Sequence, residues 1–171
     1  VTVPVIVLPA ICAVPREVPA RLRGRRIERL GRHGKYLLIG LGGGVTLISH
    51  LGMSGRWLYY AKAPRKPLTH LHARVRFADG SALWYEDPRR FGTLRAIETD
   101  GLFESPELNG LGPDPVLTPP TGDALFAMSR RLTLAVKNFL LDQQRLAGVG
   151  NIYASEVLFR AAVDPRRPAG R

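Results

Sequence analysis

The hydrophobic period of this chain changes once, and that change limits what it can fold into. Up to about residue 98, apolar residues come in short runs closed by glycine or Asp-Gly, the pattern of strands and tight turns. The run at 35–41 (KYLLIGL) ends in Gly42-Gly43-Gly44, and 45–51 (VTLISHL) follows, so the pair reads as a hairpin. A further run lies at 57–61, and 72–77 (HARVRF) alternates before the turn signal Asp79-Gly80. Strands return at 82–86 and 93–97. Many short strands with glycine turns predict a sandwich or barrel. Residues 99–122 differ, with Pro106, Pro113, Pro115, Pro119 and Pro120 among glycines and acids. Beyond them the period is helical: one helix over 123–131, a second around Leu132, Val136, Phe139 and Leu140, and a third from Asn151 to about Ala162, stopped before Pro165. The expectation is an α+β protein: an antiparallel β-sandwich over 1–98, an ordered linker over 99–121 and a helical domain over 122–171.

Charge narrows the partner. The chain has 171 residues, with 25 Lys and Arg against 14 Asp and Glu, a net charge of +11. Such an excess favours a polyanion, although a basic soluble protein with no such partner has the same composition. The single cysteine, Cys12, excludes an internal disulfide framework and any all-cysteine metal site. Residues 1–14 are apolar but too short to span a membrane. No basic residue precedes Arg16, and Pro4, Pro9 and Pro15 interrupt the run, so it reads as strand-like rather than as a signal peptide. A cytoplasmic, monomeric protein with no membrane partner is expected.

Four stretches could carry chemistry. Residues 146–156 (LAGVGNIYASE) read as a glycine-hinged turn opening into a helix. A helix start presents amide donors and the positive end of a dipole, a ready phosphate site around Gly150 and Asn151. The run Arg21, Arg23, Arg25, Arg26, Arg29, Arg32, Lys35 is opposed only by Glu28. It is a solvated strand-and-turn face or a phosphate-contacting one. Asp87-Pro88-Arg89-Arg90-Phe91-Gly92 combines cations with a ring able to wedge between bases, or is a plain turn with a half-buried Phe anchor. His50-Leu51-Gly52-Met53-Ser54-Gly55-Arg56 carries a flexible apolar side chain suited to filling a gap, or a core methionine. His70 and His72 would share a strand face, but two imidazoles make no metal site. Ser54 and Ser155 have no spacing that implies a triad, and no P-loop or dinucleotide fingerprint is present.

In this order, His33-Gly34-Lys35-Tyr36-Leu37-Leu38, HLGMSGR at 50–56, DPRRFG at 87–92 and LAGVGNIYASEVLFRA at 146–161 closely resemble the Fpg/Nei family of DNA repair glycosylases, the formamidopyrimidine-DNA glycosylase branch in particular. The likeness runs from about Arg21 to Pro168. It implies that the helical part is a helix–two-turn–helix DNA-binding domain. It implies that Lys35 and Asn151, with Gly150, hold phosphates of kinked double-stranded DNA at a damaged or abasic site. It implies that Met53, Arg89 and Phe91 fill the hole left by a flipped nucleotide, with Phe91 as wedge and Arg89 facing the orphaned base. Lys137 and Glu156 match charged residues near the family's pocket.

The chain departs from that family at both ends. The family's Pro-Glu start, in which a proline amine attacks the sugar and a glutamate moves protons, has no counterpart in Val1-Thr2-Val3-Pro4-Val5. The family's four-cysteine zinc ribbon cannot be made with one cysteine, so no cofactor is expected in this chain. The resemblance with these departures implies a short DNA-binding relative, involved in or derived from base excision repair, without glycosylase or lyase activity. Two alternatives stand beside it. One is an active glycosylase or abasic-site lyase that uses a substitute amine, Lys35 or the Val1 α-amine, or a start lying upstream. The other is a folded remnant that does not bind DNA.

Overall fold

Strand alternation builds the first part of the molecule. In this computed structural model, which describes residues 2–3, 5–6, 15–66 and 68–171, the chain divides into two units, Val1–Glu107 and Leu108–Arg171. The first unit contains β1 (Thr2–Val3), β2 (Val5–Ile6), helix α1 (Val18–Leu22), β3 (Arg25–His33), β4 (Tyr36–Leu41), β5 (Val45–His50), β6 (Arg56–Tyr60), β7 (Leu71–Arg76), β8 (Ala82–Glu86) and β9 (Thr93–Glu98). These form two antiparallel sheets, ordered β1-β3-β4-β5-β9 and β2-β7-β8-β6. The strands at 36–41 and 45–50 pair as the expected hairpin, with Leu41 opposite Val45. Of the strand expected over 1–14, only β1 and β2 fall within the described residues; Val1 and Cys12 lie outside them.

One face of each sheet turns into a shared core. Ile39, Leu41, Val45, Leu47, Leu94 and Ala96 of the larger sheet meet Ala73, Val75 and Tyr85 of the smaller, and α1 adds Val18 and Leu22. Each fully buried aliphatic side chain contributes about 1.5–3 kcal/mol. The basic run does not behave as one face. Arg25 turns back to the carbonyls of Arg21 and Gly42, each at 2.6 Å, and Arg21 reaches the carbonyl of Ala96 at 3.2 Å and the carboxylate of Glu98 at 3.2 Å. Arg23, Arg26, Arg29, Arg32 and Lys35 stay exposed. Of 99–121, residues 99–107 fall in the first unit and 108–121 in the second. Leu102 is buried in the first unit, where Glu107 pairs with Arg95 at 3.2 Å; Leu108 is buried in the second.

The second unit carries α2 (Gly122–Ser129), α3 (Val136–Leu141) and α4 (Asn151–Arg160). The second helix is shorter than its apolar spacing predicts. Arg131 takes a left-handed backbone (φ 66°), 132–134 lie outside any helix or strand, and Ala135 forms an antiparallel bridge with Pro168. There Gly170 N–H donates to Leu132 O at 3.0 Å, Ala169 N–H to Leu134 O at 2.9 Å, and Val136 N–H to Arg167 O at 2.7 Å.

At one end of the sandwich, β4, β5 and β9 align Tyr36, His50 and Thr93, while β6, β7 and β8 align Arg56, Leu71 and Glu86. The loops 51–55 and 87–92 leave from this end, and a buried carboxylate ties them. Asp87 is fully enclosed and accepts from Ser54 Oγ at 2.5 Å, Gly92 N–H at 2.8 Å and Arg89 N–H at 3.3 Å. Its own N–H donates to His70 O at 3.0 Å, and its carbonyl accepts from His72 Nε2 at 2.9 Å. His72 is therefore a buried loop anchor. His70 precedes β7 and the pairing is irregular between Leu71 and Ala73, so the two imidazoles do not share a regular strand face. Burial alone would raise the Asp87 carboxyl, but the Ser54 hydroxyl and the amides of Gly92, Arg89 and Arg90 outweigh it and hold it below the usual carboxylate range. Close approach does the rest. A Cβ on Gly92 would run into the Tyr85 hydroxyl and lie 2.8 Å from His50 O.

Because the folded carboxyl is depressed, its stabilisation is complete above the unfolded value, near 4, and is lost as pH falls through the folded value. Asp87→Asn should therefore cost about 1–3 kcal/mol at pH 7, because an amide places N–H against donors. The gap between variant and parent should narrow by pH 3, as read by denaturant melts at the two pH values. Gly92→Ala should cost about 1–3 kcal/mol by overpacking, seen as a lower Tm.

Candidate nucleic-acid interface

Lys35 sits where a two-residue turn, Gly34-Lys35, closes β3 onto β4, with His33 opposite Tyr36. Its side chain is exposed. The same strand end carries His50, whose ring lies 4.9 Å from that of Tyr36. Burial and the Lys35 charge both push the His50 imidazole below the usual histidine value, so the ring favours its neutral form. Burial, and then Glu107, push the Tyr36 phenol up. His50 opens the 50–56 stretch, but the composition of that stretch draws attention to Met53; only the strand pairing and the ring contact single His50 out.

Met53, Arg89 and Phe91 come from two loops well separated in sequence and meet at one tip. A guanidinium nitrogen of Arg89 lies 3.9 Å from the Met53 sulfur, and its central carbon lies 4.9 Å from the centre of the Phe91 ring. Met53 is 65% exposed and Phe91 55%. Met53 is no core residue, so the core-methionine alternative fails here; Phe91 is about half-buried, as the plain-turn alternative also has it. The tip is an apolar pair bridged by a cation, with cation–π attraction between Arg89 and Phe91. Gly52 allows the approach. Its φ of +62° suits glycine, and a Cβ on it would lie 2.7 Å from the Phe91 carbonyl carbon. Arg90 also takes a left-handed backbone (φ 59°), which turns the loop between Arg89 and Phe91.

In the second unit, the turn between α3 and α4 is held by one side-chain amide. Gln143 Nε2 donates to Leu141 O at 2.7 Å and to Val149 O at 2.9 Å, and its Oε1 accepts from Gly148 N–H at 3.0 Å. The sequence pattern points to the glycines and misses Gln143. Gly150 caps α4 with extended backbone, and no side chain caps the helix start, so Asn151 stands exposed at its first turn. Along α4, Ala154 and Leu158 are buried; Ile152 and Val157 face solvent. Lys137 on α3 lines a cleft of about 590 Å³ with Ser155, Phe159 and Asp164. Glu156 is exposed on α4 and does not line that cleft. Asp164 is held down at about 2 by Arg166, whose guanidinium and backbone N–H both donate to it. Among the described residues no group of three or more His, Cys, Asp or Glu could hold a metal, and no helix is long and apolar enough to cross a membrane.

Comparison with known proteins matches both units. The family model "Formamidopyrimidine-DNA glycosylase N-terminal domain" matches residues 2–94, and "Formamidopyrimidine-DNA glycosylase H2TH domain" matches 111–171. The formamidopyrimidine-DNA glycosylase of Pseudomonas aeruginosa (strain LESB58) is 45% identical over 157 residues, 92% of this chain and 57% of that protein. That of Geobacter metallireducens is 44% identical over 156 residues, 91% of this chain and 57% of the relative. The chain thus spans little more than half the length of these curated relatives. Among solved structures, the Lactococcus lactis Fpg in complex with DNA containing an abasic site has a TM-score of 0.83 at 31% identity, covering 100% of this chain and 64% of that one. The MutM (Fpg) protein of Thermus thermophilus has a TM-score of 0.81 at 38% identity, covering 97% of this chain and 59% of that one. With the sandwich and the helical unit each matched in order, this chain belongs to the formamidopyrimidine-DNA glycosylase family.

Proposed function

We propose that the chain grips double-stranded DNA at a damaged or abasic site and fills the gap in the base stack. The carrying observation is the assembled tip of Met53, Arg89 and Phe91. Two exposed apolar side chains held together by a cation are unfavourable in water and fit a site that is apolar between bases and anionic at its rim. Phe91 is the wedge, Met53 fills the space of the lost nucleotide, and Arg89 meets the base left without a partner. Lys35 in its exposed turn holds a phosphate as a point charge. Gly150 and Asn151 at the start of α4 hold another through amides and the helix dipole. Lys137 and Glu156 act near the damaged nucleotide as charged neighbours. That a Lactococcus lactis relative has been solved with abasic-site DNA supports the choice of ligand.

A lyase reading would need an amine, and Lys35 is its candidate within the described residues. Lysines that form Schiff bases are activated by desolvation or by crowding with other cations, whereas Lys35 is exposed.

With roughly 4–6 phosphates neutralised, log K for an abasic duplex should fall with log salt at a slope of roughly −4 to −5. Lys35→Ala and Asn151→Ala should weaken binding to abasic and intact duplex alike, while Phe91→Ala should erase the preference for the abasic one. Fluorescence anisotropy across a salt series checks this; binding that ignores salt, or none at low salt, rejects the proposal. Lys35→Ala should leave unchanged any adduct that borohydride traps between the protein and abasic DNA. An adduct that disappears in Lys35→Ala would assign lyase chemistry to that amine.

A further inference from the structure

We propose that His50 is the positioning residue of the Met53 loop: its imidazole Nδ1 caps the turn at 50–52 as an asparagine would, and so sets Met53 against Arg89 and Phe91. What the loop does in DNA rests on the function proposed above; how it is held does not. Gly52 N–H donates to His50 Nδ1 at 3.1 Å. A side-chain acceptor two residues before the amide it receives is the geometry of an Asx turn, in which an Asn or Asp Oδ1 occupies the place that Nδ1 takes here.

Three further features make this bond decisive for the tip. Gly52 lies within contact of the Phe91 and Gly92 backbone, so the turn at 50–52 fixes one loop against the other. The His50 carbonyl is the atom that a Cβ on Gly92 would meet at 2.8 Å, which places the root of the same loop beside the second. The strand pairs Tyr36–His50 and His50–Thr93 then hold the ring's own backbone on both sides. His50 thus touches the base of each loop that supplies a tip residue.

Accepting at Nδ1 assigns the ring proton to Nε2 and requires the neutral imidazole. A second proton would stand on Nδ1 and oppose the Gly52 N–H. The titratable and charged groups facing the ring are Lys35 from the turn and Tyr36 from β4, with Glu107 beyond Tyr36; β9 contributes the uncharged Thr93. Lys35 and burial both oppose the second proton.

The chain has two methionines, Met53 and Met128, so methyl-labelled methionine gives one reporter at the tip and one on α2 as an internal reference. In DNA-free protein, His50→Asn should keep the Met53 methyl signal at its parental position. His50→Gln, which moves the acceptor one bond outward, and His50→Ala should shift it toward the value of a solvated methionine. Acidifying the unsubstituted protein should move Met53 but not Met128, with a midpoint below the usual histidine range, and His50→Asn should abolish that step. On abasic duplex, His50→Ala should bind about tenfold more weakly, with most of the loss recovered in His50→Asn. The proposal is overturned if His50→Asn perturbs Met53 as much as His50→Ala does, or if Met53 ignores both substitution and pH. Failure to bind DNA in every variant, with the Met53 pattern as described, would instead reject the proposed function and leave the positioning role standing. Should His50→Ala not fold, His50→Asn and the titration of the parent protein still decide the matter.

Discussion

The Asp87 carboxylate is fully buried and held by hydrogen-bond donors, and the loops at that end of the sandwich depend on this. A buried carboxylate is costly unless hydrogen-bond donors replace its water. Here they come from Ser54 in one loop and from Arg89 and Gly92 in the other, with the His72 ring fixing the adjacent carbonyl. Each of these donors is thereby drawn to one point. Loop 51–55 cannot move away without leaving an unsatisfied oxygen, and loop 87–92 cannot without losing its own amide partners. Met53, Arg89 and Phe91 then have no freedom to sit far apart, which is how exposed side chains on two loops form a defined tip.

The second unit uses a neutral version of the same device. A turn rich in glycine is a poor organiser, because glycine loses the most backbone entropy on ordering. Gln143 compensates by bonding Leu141, Gly148 and Val149 through one amide group. The turn presents Gly150 and Asn151 at the start of α4 because the side chain behind it is satisfied. In both units one polar side chain orders a loop, and the loop leaves exposed the residues proposed to bind.

Strands, hairpin turns and the third helix were legible because their signals are short-range. The 36–41 and 45–50 pair follows from alternation and a glycine turn, and α4 begins where the glycines place it. Strand β3 was not legible as such: RRIERLGRH has almost no alternation, and it becomes a strand by pairing with β4 while most of its cations point to solvent. The shortened α3 departs from its pattern for a related reason. Leu132 and Leu134 lie in a stretch with helical spacing, but backbone pairing with the end of the chain outweighs it. Of the candidate site, the tip residues were legible as types suited to a gap. Their meeting was not, since Arg89 and Met53 are 36 residues apart in sequence.

By itself the sequence determined the α+β order, the loops that carry Lys35, Met53, Arg89 and Phe91, and the glycine-led start of α4. Those properties reside in period, backbone freedom and side-chain type, which need no distant partner. Tertiary structure alone decided the inward turn of Arg21 and Arg25, the burial of Asp87, the downward push on the His50 imidazole and the solvent exposure of Met53 and Phe91. Each of these is set by dielectric and by donors brought together from distant positions, such as Ser54 and Asp87, 33 residues apart. A residue's type states what it can do, and the groups folded around it determine which of those things it does.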